Sequence, residues 1–294
     1  MTTLTKKQIN WINKCTRGTW TLNPKTGLVD VDGRFDCSNQ GLKGFKGVKF
    51  GLVGGFDCST NLLTSLEGAP PKVRSAFRCS NNRLTSLVGA PLQKVGSFDC
   101  SHNNLTSLEG APQKIGGFDC SHNNLTSLEG APQKVGVYFY CSYNKLTSLE
   151  GAPQEVKGVY FYCSYNKLTS LEGAPQDVGY FNCSYNNLTS LVGSPLQKVG
   201  GFDCSHNNLA SLEGAPQKVL WSFHSQNNKL TSLVGAPQRG IQDFQVWNNK
   251  ISRETLELAW RTMRKKKVDY WTALSIISGE IPRRDLRILQ NLSE

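Results

Sequence analysis

The chain has 294 residues, 38% of them hydrophobic and 19% charged, with a net charge of +11. Its apolar stretches run only a few residues, which excludes a bilayer-spanning helix, and Met1 to Lys7 leads into no apolar core of the kind a secretion signal needs. Ten cysteines are present without the close Cys-x-x-Cys pairs of a zinc site, so a reduced, cytoplasmic protein with no metal and no cofactor is expected.

In chain order, Thr5 is placed to cap a short helix carrying Ile9, Trp11 and Ile12 on one side. Trp20 to Gly33 alternates around an Asn23-Pro24-Lys25-Thr26-Gly27 turn, which predicts a hairpin covering the open end of a sheet. Residues 1–34 are therefore expected to be an N-terminal cap.

From residue 35 to 251 a unit of roughly 21 residues recurs. Phenylalanine returns in register at Phe35, Phe56, Phe77, Phe98, Phe118, Phe139, Phe161, Phe181, Phe202, Phe223 and Phe244. Cysteine follows two residues later from Cys37 to Cys204, and Ser225 and Val246 close the series. Side chains two apart share one face of a strand, so Phe and Cys point inward and the residues between them point out. Three residues after Cys stands an asparagine such as Asn103 or Asn123, whose amide is suited to the backbone groups of the turn leaving the strand. Leu105, Leu108 and their equivalents return to the core. A fixed period of this length means stacked coils, each burying a face against its neighbours. Nine of the cysteines fall in one inward column and are expected to act as small buried hydrophobes.

Phe-x-Cys-x-x-Asn-x-Leu followed by Leu-x-Gly-x-Pro resembles the leucine-rich repeat, and the short period is similar to the bacterial type found in effectors of Yersinia and Shigella. The Cys-Ser and Thr-Ser-Leu-Glu-Gly-Ala-Pro variant also resembles repeat proteins of tailed phages and bacteria. The resemblance implies an α/β repeat fold, a leucine-rich-repeat solenoid of eleven repeats with a parallel β-sheet on its concave face. Glu-Gly-Ala-Pro stands where the effectors have Leu-Pro-x-Leu-Pro, and no large catalytic domain follows, so ubiquitin-ligase activity is not implied. After Ile251, Ser252 is a plausible helix N-cap, with Leu256, Leu258, Ala259 and Met263 as apolar positions, and 252–294 is expected to be a C-terminal helical cap.

Outward strand positions are where function is sought. Tyr138, Tyr140 and Tyr143, then Tyr160, Tyr162 and Tyr165, then Tyr180 and Tyr185 account for eight of the nine tyrosines. On flanking repeats the same positions hold Asp99, Asp119 and Asp203 before the cysteine, and His102, His122 and His206 two after it, while the serines after each cysteine, Ser59, Ser80, Ser101, Ser121, Ser142, Ser164, Ser184 and Ser205, are expected to form a small polar strip between them. A ladder of tyrosines stabilises a sheet, yet the other repeats manage with Asp, Asn and His. The favoured expectation is a protein-binding hot spot, because Tyr gives large contact area at low entropic cost. The phage resemblance implies a factor that captures a host protein, inhibition of a defence component being one form. A small molecule, peptide or single-stranded nucleic acid on the tyrosine platform is the alternative. The aspartates disfavour nucleic acid there, and the basic run Arg264 to Lys267 reads as a solvated helix end. No uniquely placed nucleophile or phosphate loop supports an enzyme.

Overall fold

A computed structural model describes residues 3–89, 94–154, 156, 160–237, 241–252 and 254. The expected C-terminal helices beyond Ser252 lie outside the described residues. The chain forms two compact units, Met1–Leu146 with Glu150–Val156 and Thr147–Leu149 with Lys157–Glu294.

In the first unit the helix α1 runs from Lys6 to Cys15. Thr5 and Gln8 form a reciprocal capping box, with the Thr5 hydroxyl accepting from the Gln8 N–H and the Gln8 side chain accepting from the Thr5 N–H. The helix buries Trp11, Ile12 and Cys15, and the Trp11 ring meets Phe35 edge-on at 5.2 Å. Strands β1 (Thr16–Leu22) and β2 (Val29–Asp36) pair antiparallel across a turn in which the Asn23 carboxamide accepts from the N–H groups of Lys25 and Thr26. That turn is the one the Asn-Pro-Lys-Thr-Gly sequence predicts.

Strands β3 (Phe50–Asp57), β4 (Lys72–Arg78), β5 (Lys94–Asp99), β6 (Lys114–Asp119) and β7 (Lys134–Tyr140) then follow β2 in parallel order. The second unit continues the pattern with β8 (Tyr160–Tyr162), β9 (Asp177–Asn182), β10 (Lys198–Asp203), β11 (Lys218–His224) and β12 (Asp243–Gln245). The fold is a leucine-rich-repeat solenoid of parallel strands with few helices.

The repeat's residue types explain the coil. The inward phenylalanines are fully buried and stack on one another, for example Phe118 on Phe139 at 5.7 Å and Phe161 on Phe181 at 5.2 Å. Cysteine suits the next inward position because it is small and its thiol donates to a carbonyl of the following coil, as Cys100 does to Asp119 and Cys183 to Asp203. Burial raises the pKa of these thiols well above the ordinary value.

The repeated asparagine does more than close its own turn. Asn103 donates to the carbonyls of Cys100 and Ser101 in its own coil and of Cys79 in the preceding one, while its oxygen accepts from the Leu84 N–H. One carboxamide thus satisfies four backbone groups and ties two coils together.

Candidate functional site

Each coil presents three outward positions, one before Phe, one after it, and one two residues beyond Cys. The third has a special backbone. Every residue there lies in the left-handed region, with φ between 52° and 56° for His102, His122, Tyr143, Tyr165, Tyr185 and His206. Asparagine, which tolerates this conformation best among residues with a β-carbon, occupies it at Asn39, Asn81, Asn227 and Asn248. Thr60 also occupies it, and the six coils from His102 to His206 give up that comfort for a ring.

Rings stack along this position within each unit. In the first, His102 stacks on His122 at 4.0 Å and His122 on Tyr143 at 4.2 Å, with planes within 12°. In the second, Tyr165 stacks on Tyr185 at 4.2 Å and Tyr185 on His206 at 3.9 Å, with planes within 10°. His206 continues through a hydrogen bond to the Asn227 carboxamide, which accepts from Asn248. Burial, together with the charge of His102, lowers the pKa of His122, so His122 favours the neutral imidazole.

The tyrosines on the strands lie deeper. Tyr138 and Tyr140 stack at 4.8 Å in the first unit, and in the second Tyr162 meets Tyr160 and Tyr180 edge-on. Sequence periodicity suggests eight exposed rings, but only Tyr143, Tyr160, Tyr165 and Tyr185 are exposed, at 39–48%. Tyr138, Tyr140, Tyr162 and Tyr180 are half-buried, and Tyr138 and Tyr180 lean along the sheet onto neighbouring coils. Burial raises the pKa of the Tyr138, Tyr162 and Tyr180 hydroxyls.

Glycines make that leaning possible, and sequence reasoning missed them. A β-carbon on Gly117 would stand 2.3 Å from the Tyr138 ring, and one on Gly201 would stand 2.5 Å from the Tyr180 ring. The signal was available, since both occupy the position before Phe on the coil beside a tyrosine-bearing one.

The aspartates are built alike. In Asp57, Asp99, Asp119 and Asp203, Oδ1 accepts from the N–H of the serine two residues on, at 2.9–3.0 Å. These serines were expected to form a polar surface strip. The structure instead buries many of them, Ser101, Ser142, Ser164, Ser184 and Ser205 among them, because the chain turns there to bring Cys and Asn inside. His102 and His122 are engaged in ring stacking, and among the described residues a His–Asp contact forms between His224 Nε2 and Asp243 at 2.9 Å.

Away from the tyrosines, a recess of about 390 Å³ opens on the first unit's sheet where outward residues are small, lined by Gly33, Gly54, Gly55, Ser75 and Ala76 with Arg34 and Arg78. Among the described residues, no three of His, Cys, Asp and Glu converge as a metal site, and no helix is long and apolar enough to cross a membrane.

No family model matches the sequence, and no curated protein matches it. Solved structures do resemble it. YopM of Yersinia enterocolitica is 17% identical, aligned over 84% of this chain and 64% of that one, with a TM-score of 0.50. The chain thus spans under two thirds of that neighbour. YopM of Yersinia pestis is 20% identical over 74% of this chain and 72% of that one (TM-score 0.48). The functional domain of InlJ from Listeria monocytogenes, which includes a cysteine ladder, is 19% identical over 75% and 64% (TM-score 0.42). At 17% identity the likeness to the first of these shows the leucine-rich-repeat fold alone.

Proposed function

We propose that this chain is a non-catalytic binding protein that captures a protein partner through the aromatic face of its solenoid, the exposed rings of Tyr143, Tyr165 and Tyr185 supplying the anchor surface. The observation that carries the reading is the left-handed backbone beneath those rings. A bulky residue there costs about 1–2 kcal/mol relative to one suited to it, and other coils avoid the cost with asparagine at the same position. Ring stacking, worth about 0.5–1.5 kcal/mol, does no more than offset that cost, so stability gives little reason to choose tyrosine over asparagine. Contact with something outside the molecule does, because Tyr carries much of the binding energy where proteins meet.

The half-buried Tyr138, Tyr140, Tyr162 and Tyr180 stiffen the platform, and Asp99, Asp119 and Asp203 set its charge. Aspartate at these positions opposes phosphate, which argues against single-stranded nucleic acid as the ligand. We further propose that the partner is a host protein and the chain a phage-encoded inhibitor of host defence; similarity of the Cys-Ser and Thr-Ser-Leu-Glu-Gly-Ala-Pro repeat to tailed-phage proteins is the support.

The test is affinity capture from bacterial lysate with the wild type beside a Tyr143→Asn, Tyr165→Asn, Tyr185→Asn variant of matched stability. A protein held by the wild type and released by the variant is expected. Equal retention by both, or an eluate of nucleic acid alone, would overturn the reading.

A further inference from the structure

The aspartate column contains one completed ion cluster and one incomplete copy of it. Asp36 and Asp57 are register partners on adjacent strands. Each commits Oδ1 to the serine two residues on, Ser38 or Ser59. Each turns Oδ2 to the same guanidinium, that of Arg34, whose Nη2 lies 3.3 Å from Asp36 and 2.6 Å from Asp57. One arginine therefore clamps two carboxylates a strand spacing apart.

Asp99 and Asp119 repeat this geometry three coils further on. They too are register partners on adjacent strands, and each commits Oδ1 to its serine, Ser101 or Ser121. No cation meets either Oδ2 among the described residues. The strand position filled by Arg34 in the first cluster is Ser97 in the second, too short to reach back. The nearest cation in the same column, Arg78, is exposed and forms no ion pair with Asp57 or Asp99. Like charges directly opposite across strands are unfavourable. Asp119 shows the strain, its carboxyl pKa pushed up by burial, with the charge of Asp99 adding to the rise. The ring of Tyr138 lies over Gly117 and walls one side of the pair.

We infer that Asp99 and Asp119 receive an arginine side chain from the bound partner, which completes the clamp that Arg34 makes internally with Asp36 and Asp57. The inference deepens the protein-binding reading and rests on it. A planar guanidinium matches two carboxylates through parallel donors. A lysine ammonium fits less well, being a point charge without the fork. The clamp also explains how a chain of net charge +11 can select a basic segment, since discrimination is set by the local charge of the sheet face.

The test uses the full chain and a fluorescein-labelled hexa-arginine peptide, read by anisotropy at low salt. Saturable binding is expected, weakened at least about tenfold by Asp99→Asn with Asp119→Asn, because truncating one side of a hydrogen-bonded charge pair is costly. A hexa-lysine peptide is expected to bind several-fold more weakly. Glu109→Gln with Glu129→Gln removes the same charge from exposed loop positions and is expected to change affinity less than about twofold.

Should the double asparagine variant fail to fold, Ser97→Arg provides the second arm. It supplies the missing internal cation and is expected to abolish peptide binding, with circular dichroism showing the fold retained. Absence of binding by the wild type, equal loss in the glutamate control, or undiminished binding by Ser97→Arg would each overturn the clamp. A protein partner lost by the tyrosine variant but kept by the aspartate variant would overturn the clamp and leave the protein-binding reading standing.

Discussion

Tyr165 and Tyr185 lie face to face at 4.2 Å with planes 8° apart, each on a backbone whose φ is near +54°. Two opposing contributions meet at that contact. Ring stacking is worth about 0.5–1.5 kcal/mol, and left-handed backbone under a tyrosine costs about 1–2 kcal/mol. Tyr185→Asn is therefore expected to change unfolding free energy by less than about 1 kcal/mol in denaturant titration. A loss of several kcal/mol would mean that the ladder exists for stability, and the argument for a binding surface would lose its footing.

The close approach of Tyr138 to Gly117 makes a different prediction. Gly117→Ala forces the ring away and is expected to cost about 1–3 kcal/mol. The same change in a Tyr138→Ala background is expected to be nearly neutral, because nothing remains to collide. Equal costs in both backgrounds, measured as a double-mutant cycle, would show that the glycine serves some other purpose.

Asn103→Ala removes three donated hydrogen bonds and one accepted from the Leu84 N–H, all of them buried or nearly so. Destabilisation of about 3 kcal/mol or more is expected. Since these bonds join neighbouring coils, the variant is also expected to broaden the unfolding transition, or split it, as nearest-neighbour coupling is weakened. A sharp transition with an unchanged midpoint would count against the bridging role.

The buried thiols set an upper pH limit. Their folded pKa values are raised by burial, whereas in the unfolded chain a cysteine loses its proton near about pH 8.5. Above that pH the unfolded state binds fewer protons than the folded one, so stability falls as pH rises, by about 1.4 kcal/mol per pH unit for each such thiol. Many thiols titrating together predict abrupt alkaline unfolding. A thiol reagent at pH 8 is expected to find the column unreactive until denaturant is added; rapid reaction in the folded state would contradict the burial.

Asp119 titrates in the opposite sense to Asp36. The Asp119 carboxyl is raised by burial, so its ionisation opposes folding above the unfolded carboxylate pKa of about 3.9. For Asp36, burial is outweighed by the hydrogen bonds from Ser38, its pKa is lowered, and its contribution to stability is lost as pH falls. Asp119→Asn is accordingly expected to raise the melting temperature at pH 7 and to have little effect near pH 3.

The repeated Phe, Cys, Asn and Leu made the solenoid legible, because each residue type answers one packing or hydrogen-bonding need and recurs at fixed spacing. The hairpin at Asn23 to Gly27 was legible for the same reason, turn chemistry being local. Strand alternation alone separates the outward residues from the inward Phe and Cys columns. Period-two reasoning failed where the chain leaves the strand: it treated Ser101 and Ser142 as surface residues and gave no hint that His102 and Tyr143 share a left-handed backbone. Nor does alternation say which way a ring leans, so the burial of Tyr138 and Tyr180 and the part played by Gly117 and Gly201 appeared only in three dimensions.

The left-handed position beyond each cysteine has one further consequence. Its conformation is imposed by the turn of its own coil, and Asn, Thr, His and Tyr all occupy it without altering the core. Scaffold and message are thus written in separate residues. Duplication or loss of a single coil would lengthen or shorten the displayed array by one letter, leaving the rest of the text readable.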